Sequence, residues 1–199
     1  MIASRAIRFV KEEEPEISIQ QLEAQAERAI VIGEPIVAFD LLISRDNEQL
    51  SAKCWQLLGQ ALANCGSPLR ARDILEEQYL NTPTPELCAS LARINKDLWK
   101  VTRDAGKRQQ FLARSHGLYV EAAEKFDRAG IDHESSYSWI NAASTAVFMA
   151  RRDLAEKYAE KARSLCKALL DSETTRSTHW IEATLGEAMI ILGDTHQAQ

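Results

Sequence analysis

Four histidines, four cysteines and one glutamate run are the residues whose chemistry could be catalytic or metal-binding. His116, His133, His179 and His196 fall in separate segments, none beside a nucleophile motif such as G-x-S-x-G. Cys54, Cys65, Cys88 and Cys166 have no Cys-x-x-Cys spacing and no histidine at zinc-ligand distance, so they read as buried free thiols. Glu12-Glu13-Glu14 is a solvated charge run, and no glycine loop is built to cradle phosphate. These residues predict a chain that is not an enzyme and takes no metal or cofactor.

The remaining chemistry is electrostatic. Residues 96–116 hold Lys96, Lys100, Arg103, Lys107, Arg108 and Arg114 against Asp97 and Asp104, a net +4 in a chain of formal charge -5. Such a segment could dock an acidic partner through Lys100, Arg103, Lys107 and Arg108, or, as a lesser reading, phosphates. The negative total argues against a nucleic-acid surface as the main function. The N-terminus has no signal-peptide pattern and no stretch approaches about 20 apolar residues, which predicts a cytoplasmic protein without a membrane span.

The elements that must position these residues are helices. Gly (8) and Pro (5) are scarce and hydrophobic residues make up 45%, which favours an all-α fold. Trp55, Leu58, Gly59 and Leu62, followed by Gly66, Ala71, Leu75 and Pro83, match the tetratricopeptide (TPR) pattern with one apolar substitution. Small residues extend that match into a ladder: Ala26, Ala38, Gly59, Ala71, Ala92, Ala122, Ala143, Ala155, Gly186 and Ala198. Steps within a pair are 12, 12, 30, 12 and 12, and steps between pairs are 21, 21, 21 and 31. Helices packed about 8–10 Å apart leave no room for a long side chain at their closest approach, so packing explains the ladder. The expected architecture is a right-handed superhelical stack of about five antiparallel helix pairs, a TPR-like α-solenoid. Gly33-Glu34-Pro35, Gly66-Ser67-Pro68 and Gly193-Asp194-Thr195 fall in its turns.

Two steps break the period. The 30-residue step is 18 residues too long, which is five helical turns. Shared equally, it would add about nine residues to each helix of the third pair and project a hairpin roughly 13 Å beyond its neighbours. Asp104-Ala105-Gly106-Lys107 is the expected tip, with Gly106 in the left-handed position that ends a helix. The second break lengthens the helix through Leu170 and adds the polar loop Asp171-Ser172-Glu173-Thr174-Thr175, whose hydroxyls could cap the next helix.

In a TPR stack the first helices line a concave groove. Their inner positions are Gln56, Gln60, Asn64, Arg93, Lys96, Tyr137, Asn141 and Phe148. Arg93, Lys96 and Asn141 could hold a carboxylate, and Tyr137 and Phe148 could supply apolar contact. Asn141 is the one most readily explained as structural. The lysine and asparagine pair of chaperone-binding TPRs is replaced by Gln56 and Gln60, so a complete carboxylate clamp is not expected.

Three segments resemble a narrower family. They are Thr84-Pro85-Glu86-Leu87 through Leu91-Ala92-Arg93-Ile94-Asn95-Lys96-Asp97-Leu98-Trp99, then Tyr137-Ser138-Trp139-Ile140-Asn141-Ala142-Ala143, and Trp180-Ile181-Glu182-Ala183-Thr184-Leu185-Gly186-Glu187-Ala188. Across roughly 84–198 they look like the TPR-rich TRAF-binding region that precedes the kinase domain in apoptosis signal-regulating kinases and occurs in bacterial multidomain proteins. The resemblance implies a regulatory, protein-binding region attached to an effector domain; it does not make TRAF the partner.

The sequence therefore predicts a tail or linker over residues 1–17 and a TPR-like domain over 18–199, truncated in its fifth pair. It predicts a non-catalytic interaction and scaffold module for a protein or peptide partner, with a dimer through the open C-terminal edge as a further option. The alternatives are a nucleic-acid-binding repeat using the basic hairpin and a purely structural spacer.

Overall fold

A computed structural model describes residues 17–45, 50–172 and 178–194. Within them lie α1 (Ile19–Val31), α2 (Pro35–Ile43), α3 (Ala52–Asn64), α4 (Pro68–Asn81), α5 (Pro85–Val101), α6 (Ala105–Ala129), α7 (Asp132–Phe148), α8 (Arg152–Asp171) and α9 (His179–Leu192). Each helix packs on the next, as an antiparallel stack requires. Residues 1–16 of the expected tail, residues 173–175 of the expected polar loop and the ladder position Ala198 lie outside the described residues; of that loop, Asp171 ends α8 and Ser172 is its C-cap.

Local chemistry sets the boundaries. Ser18 and Gln21 form a capping box at α1, while the Ser51, Thr84 and Asp104 side chains accept N–H bonds at the starts of α3, α5 and α6. Proline opens α2, α4 and α5, where its missing N–H costs nothing. No side-chain hydroxyl caps α9 at Thr178.

Ala26, Ala38, Ala71, Ala92, Ala122, Ala143 and Ala155 are all buried. Gly59 is needed outright: a Cβ there would lie 2.6 Å from Leu75 Cδ1. Gly186 has nothing within 4 Å of its would-be Cβ and is only half-buried. Its ladder position is met by no second helix among the described residues. Cys54, Cys88 and Cys166 are buried, but Cys65 is exposed because it ends α3 at the turn.

The long third pair has a different shape from the expected one. α5 has 17 residues and α6 has 25. Measured from the ladder positions and against α3 and α4, α5 gains one helical turn after Ala92 and α6 gains the remainder before Ala122. The reason is visible in the packing. The Ser115 hydroxyl, not Ala122, meets Ala92, donating to its carbonyl at 2.8 Å. Ala122 keeps its spacing to Ala143 on the following helix instead. Gly106 is inside the first turn of α6 without a positive φ, and Asp104 caps that helix by accepting from the Lys107 N–H at 2.7 Å. The hairpin turn is 102–104.

This asymmetry changes the inner wall. α1 stacks on α3, α3 on α5, and α7 on α9, while α6 runs between α5 and α7. Side chains close the resulting gap.

Candidate partner-binding surfaces

The inner wall carries a pocket of about 230 Å³ bounded by Gln56 and Gln60 of α3, Arg93 of α5, and Glu134 and Tyr137 of α7. Three first helices thus contribute to one recess, because positions three or four apart on each face the same side. Arg93 is exposed and its acidic neighbour Asp97 is 4.0 Å away, at the limit of an ion pair. Tyr137 is 40% exposed, leaving ring surface available.

The other four groove positions lie outside the lining of that pocket. Asn141 is buried, donating to the Tyr137 carbonyl at 2.9 Å and accepting from the Lys96 ammonium. Lys96 therefore closes the α5–α7 gap, with its Nζ 5.7 Å from the centre of the Tyr119 ring beneath it. Burial, followed by the neighbouring Lys100 charge, holds the Lys96 pKa below the usual lysine range. Tyr119 is fully buried, and burial, followed by the neighbouring Tyr137 phenol, pushes its pKa well up. Phe148 packs against Trp99 of α5 with ring centres 4.6 Å apart. Asn64 is exposed at the end of α3, outside the pocket.

The basic hairpin also divides. Lys100 pairs with Asp97 at 3.3 Å, and Arg108 lies over the Trp99 ring at 5.4 Å. Arg103 and Lys107 instead line a cleft of about 920 Å³ against the α3–α4 turn, joined there by Arg70 and Arg72. A third recess, of about 360 Å³, lies between α7 and α9 and includes Tyr137 and the exposed Trp180.

Sequence reasoning missed Glu134 in the pocket and Arg70 and Arg72 in the cleft. Glu134 was available to it, standing three residues before Tyr137 on the same helix face. Arg70 was not, because only the fold brings the start of α4 beside the turn after α5. Among the described residues no group of three His, Cys, Asp or Glu could hold a metal ion, and no helix is long and apolar enough to cross a membrane. His116 is a packing residue: its Nδ1 is 3.0 Å from the Thr145 hydroxyl and its ring lies beside Tyr158.

Comparison with known proteins gives the same architecture. The Tetratricopeptide Repeats-Sensor family model matches residues 25–150. A thermophilic TPR protein of Thermus thermophilus is similar in structure at 16% identity, with a TM-score of 0.68 over 91% of this chain and 86% of that one. The nearly identical TPR-like repeats of a candidate kinesin light chain from Podosopora anserina align with a TM-score of 0.63 at 15% identity, covering 91% and 89% of the two chains. BtubC from P. vanneervenii aligns with a TM-score of 0.61 at 18% identity, over 90% of this chain and 75% of that one. No curated protein matches the sequence. At these identities the structural likenesses establish the fold.

Proposed function

The chain belongs to the Tetratricopeptide Repeats-Sensor family, and from that premise we propose that it is a non-catalytic interaction module whose concave pocket holds a segment of a partner protein. TPR repeats generally mediate protein–protein interaction. The observation that carries the reading is the convergence of Gln56, Gln60, Arg93 and Tyr137, from three helices, on one recess.

Each group has a role that its chemistry supports. Arg93, with only a marginal ion pair, can take a carboxylate by charge-assisted hydrogen bonds. The Gln56 and Gln60 amides both donate and accept, which suits the backbone of an extended peptide. Tyr137 adds an apolar face. Glu134 of α7 adds a negative charge to the recess, so the partner segment pairs an acidic group near Arg93 with an N–H donor or cation near Glu134.

The resemblance of 84–198 to the TRAF-binding region extends this to a regulatory role: the module senses or recruits a partner on behalf of an effector domain. A nucleic-acid reading is disfavoured. Of the four hairpin cations only Arg103 and Lys107 lack an ion pair or a ring partner among the described residues, which leaves few free charges for neutralising phosphates.

The test is site-specific photocrosslinking. A benzophenone side chain at Gln60 should capture a discrete partner in lysate, while one at Lys167 on α8 should not. Equal adducts at both sites, or none at Gln60, would remove the groove assignment.

A further inference from the structure

We propose that the cleft between the hairpin turn and the start of α4 is a second, separate docking site, for a partner peptide in which carboxylates alternate with apolar residues. It shares no lining residue with the concave pocket and stands or falls independently of it.

Charge is the first argument. Arg70, Arg103 and Lys107 line the cleft and make no ion pair among the described residues. Arg72, the fourth cation there, is already paired with Asp73 at 2.5 Å and lies over the Phe111 ring at 5.6 Å. The single carboxylate in the lining, Asp104, is committed to capping α6. α4 begins in the same place on Ser67 with no side-chain cap, so the positive end of that 14-residue helix also faces the cleft. In a chain of formal charge -5 this concentration of uncompensated positive charge selects an acidic ligand.

The apolar surface distinguishes a peptide from a phosphate strand. Leu69 is 54% exposed and Val101 69% exposed, and both lie in the cleft among the cations. A nucleic-acid site gains nothing from such leucine and valine surface, whereas side chains alternating along an extended peptide can place carboxylates on the cations and apolar groups between them. A cleft of about 920 Å³ is large enough for several residues of such a segment.

The test is fluorescence anisotropy on the full chain with three labelled probes: a peptide of alternating Glu and Leu, the same peptide with Gln for Glu, and a single-stranded oligodeoxynucleotide of equal charge. The Glu-Leu peptide should bind, weaken as salt is raised, and lose about tenfold or more affinity in the combined variant Arg70→Glu, Arg103→Glu, Lys107→Glu. Those side chains make no ion pair, and two of the new carboxylates fall in the first turns of α4 and α6, where a negative charge is favourable, so the thermal midpoint, measured alongside, should not fall. Val101→Ser should weaken the same peptide without touching charge, which keeps the test decisive if the triple variant folds poorly. The groove variant Arg93→Ala, Tyr137→Ala should bind the peptide as the parent does. Undetectable binding, equal binding of the Gln-Leu peptide, tighter binding of the oligonucleotide, or an affinity unchanged in the triple variant would each overturn the proposal. Self-association that the triple variant abolishes would also overturn it, by putting a second copy in the cleft.

Discussion

Lys96 of α5 donates to Asn141 of α7 across the gap that α6 opens between those two helices. The bond ties the two halves of the inner wall together. Asn141→Ala leaves the half-buried ammonium without this acceptor and should cost about 1 kcal/mol. A double-mutant cycle with Lys96→Ala, read by urea unfolding, should show coupling of about 0.5–3 kcal/mol. Strict additivity would mean the bond contributes nothing to the wall.

The two ladder glycines should respond with opposite signs. Gly59→Ala drives a methyl into Leu75, a fully buried side chain, and should destabilise by about 1–3 kcal/mol. Gly186→Ala meets nothing and should stabilise by up to about 1 kcal/mol, because alanine suits a helix interior. Thermal unfolding of the two variants side by side checks both. A destabilising Gly186→Ala would indicate a packing partner at that position.

His116 makes stability sensitive to mild acid. Burial, followed by the Arg151 charge, lowers its pKa below 6.5, although a backbone hydrogen bond at Ala142 opposes the shift. The unfolded chain therefore binds more protons than the folded one between the folded pKa and 6.5. Stability is full above 6.5 and falls as the pH drops through that window. His116→Gln should flatten this part of the pH–stability profile, as measured by unfolding at pH 7 and at intervals below it. An unchanged slope would assign the acid sensitivity elsewhere.

Tyr79 on α4 donates to Glu121 on α6 at 2.6 Å, and Lys125 reaches the same carboxylate at 2.9 Å. Burial alone would push the Glu121 pKa up, but the Tyr79 and Lys125 hydrogen bonds outweigh it and hold the carboxyl below its ordinary value. A carboxylate lowered in this way contributes stability above its unfolded pKa and loses it as the pH falls through the folded one. Tyr79→Phe should cost about 1 kcal/mol at neutral pH, and the cost should shrink once Glu121 is protonated. A cost that stayed constant on acidification would show that the hydroxyl matters for packing and not for the charge.

The small-residue ladder revealed the stack because closest approach between helices is a backbone constraint that few residue types satisfy. The same logic misplaced the hairpin: spacing counts residues along the chain but does not say which helix receives them, and Ser115 is small enough to take the place opposite Ala92. Gly106 looked like a helix end by residue type, yet Asp104 two residues earlier caps the helix that contains it. Of the groove residues, Gln56, Gln60, Arg93 and Tyr137 were legible from helical periodicity. The pairing of Lys96 with Asn141 and the arrival of Arg70 beside Arg103 depend on tertiary adjacency, which periodicity does not encode.

The most direct test of the interaction account is selection from a random peptide display library on the folded chain, followed by affinity measurement of the selected peptides on the parent and on Arg93→Ala, Tyr137→Ala. The account predicts selected peptides carrying an acidic residue near an aromatic or aliphatic one, with affinity falling about tenfold or more in the groove variant. A selection that yields no binders, or binders whose affinities are all unaffected by the loss of Arg93 and Tyr137, would contradict it.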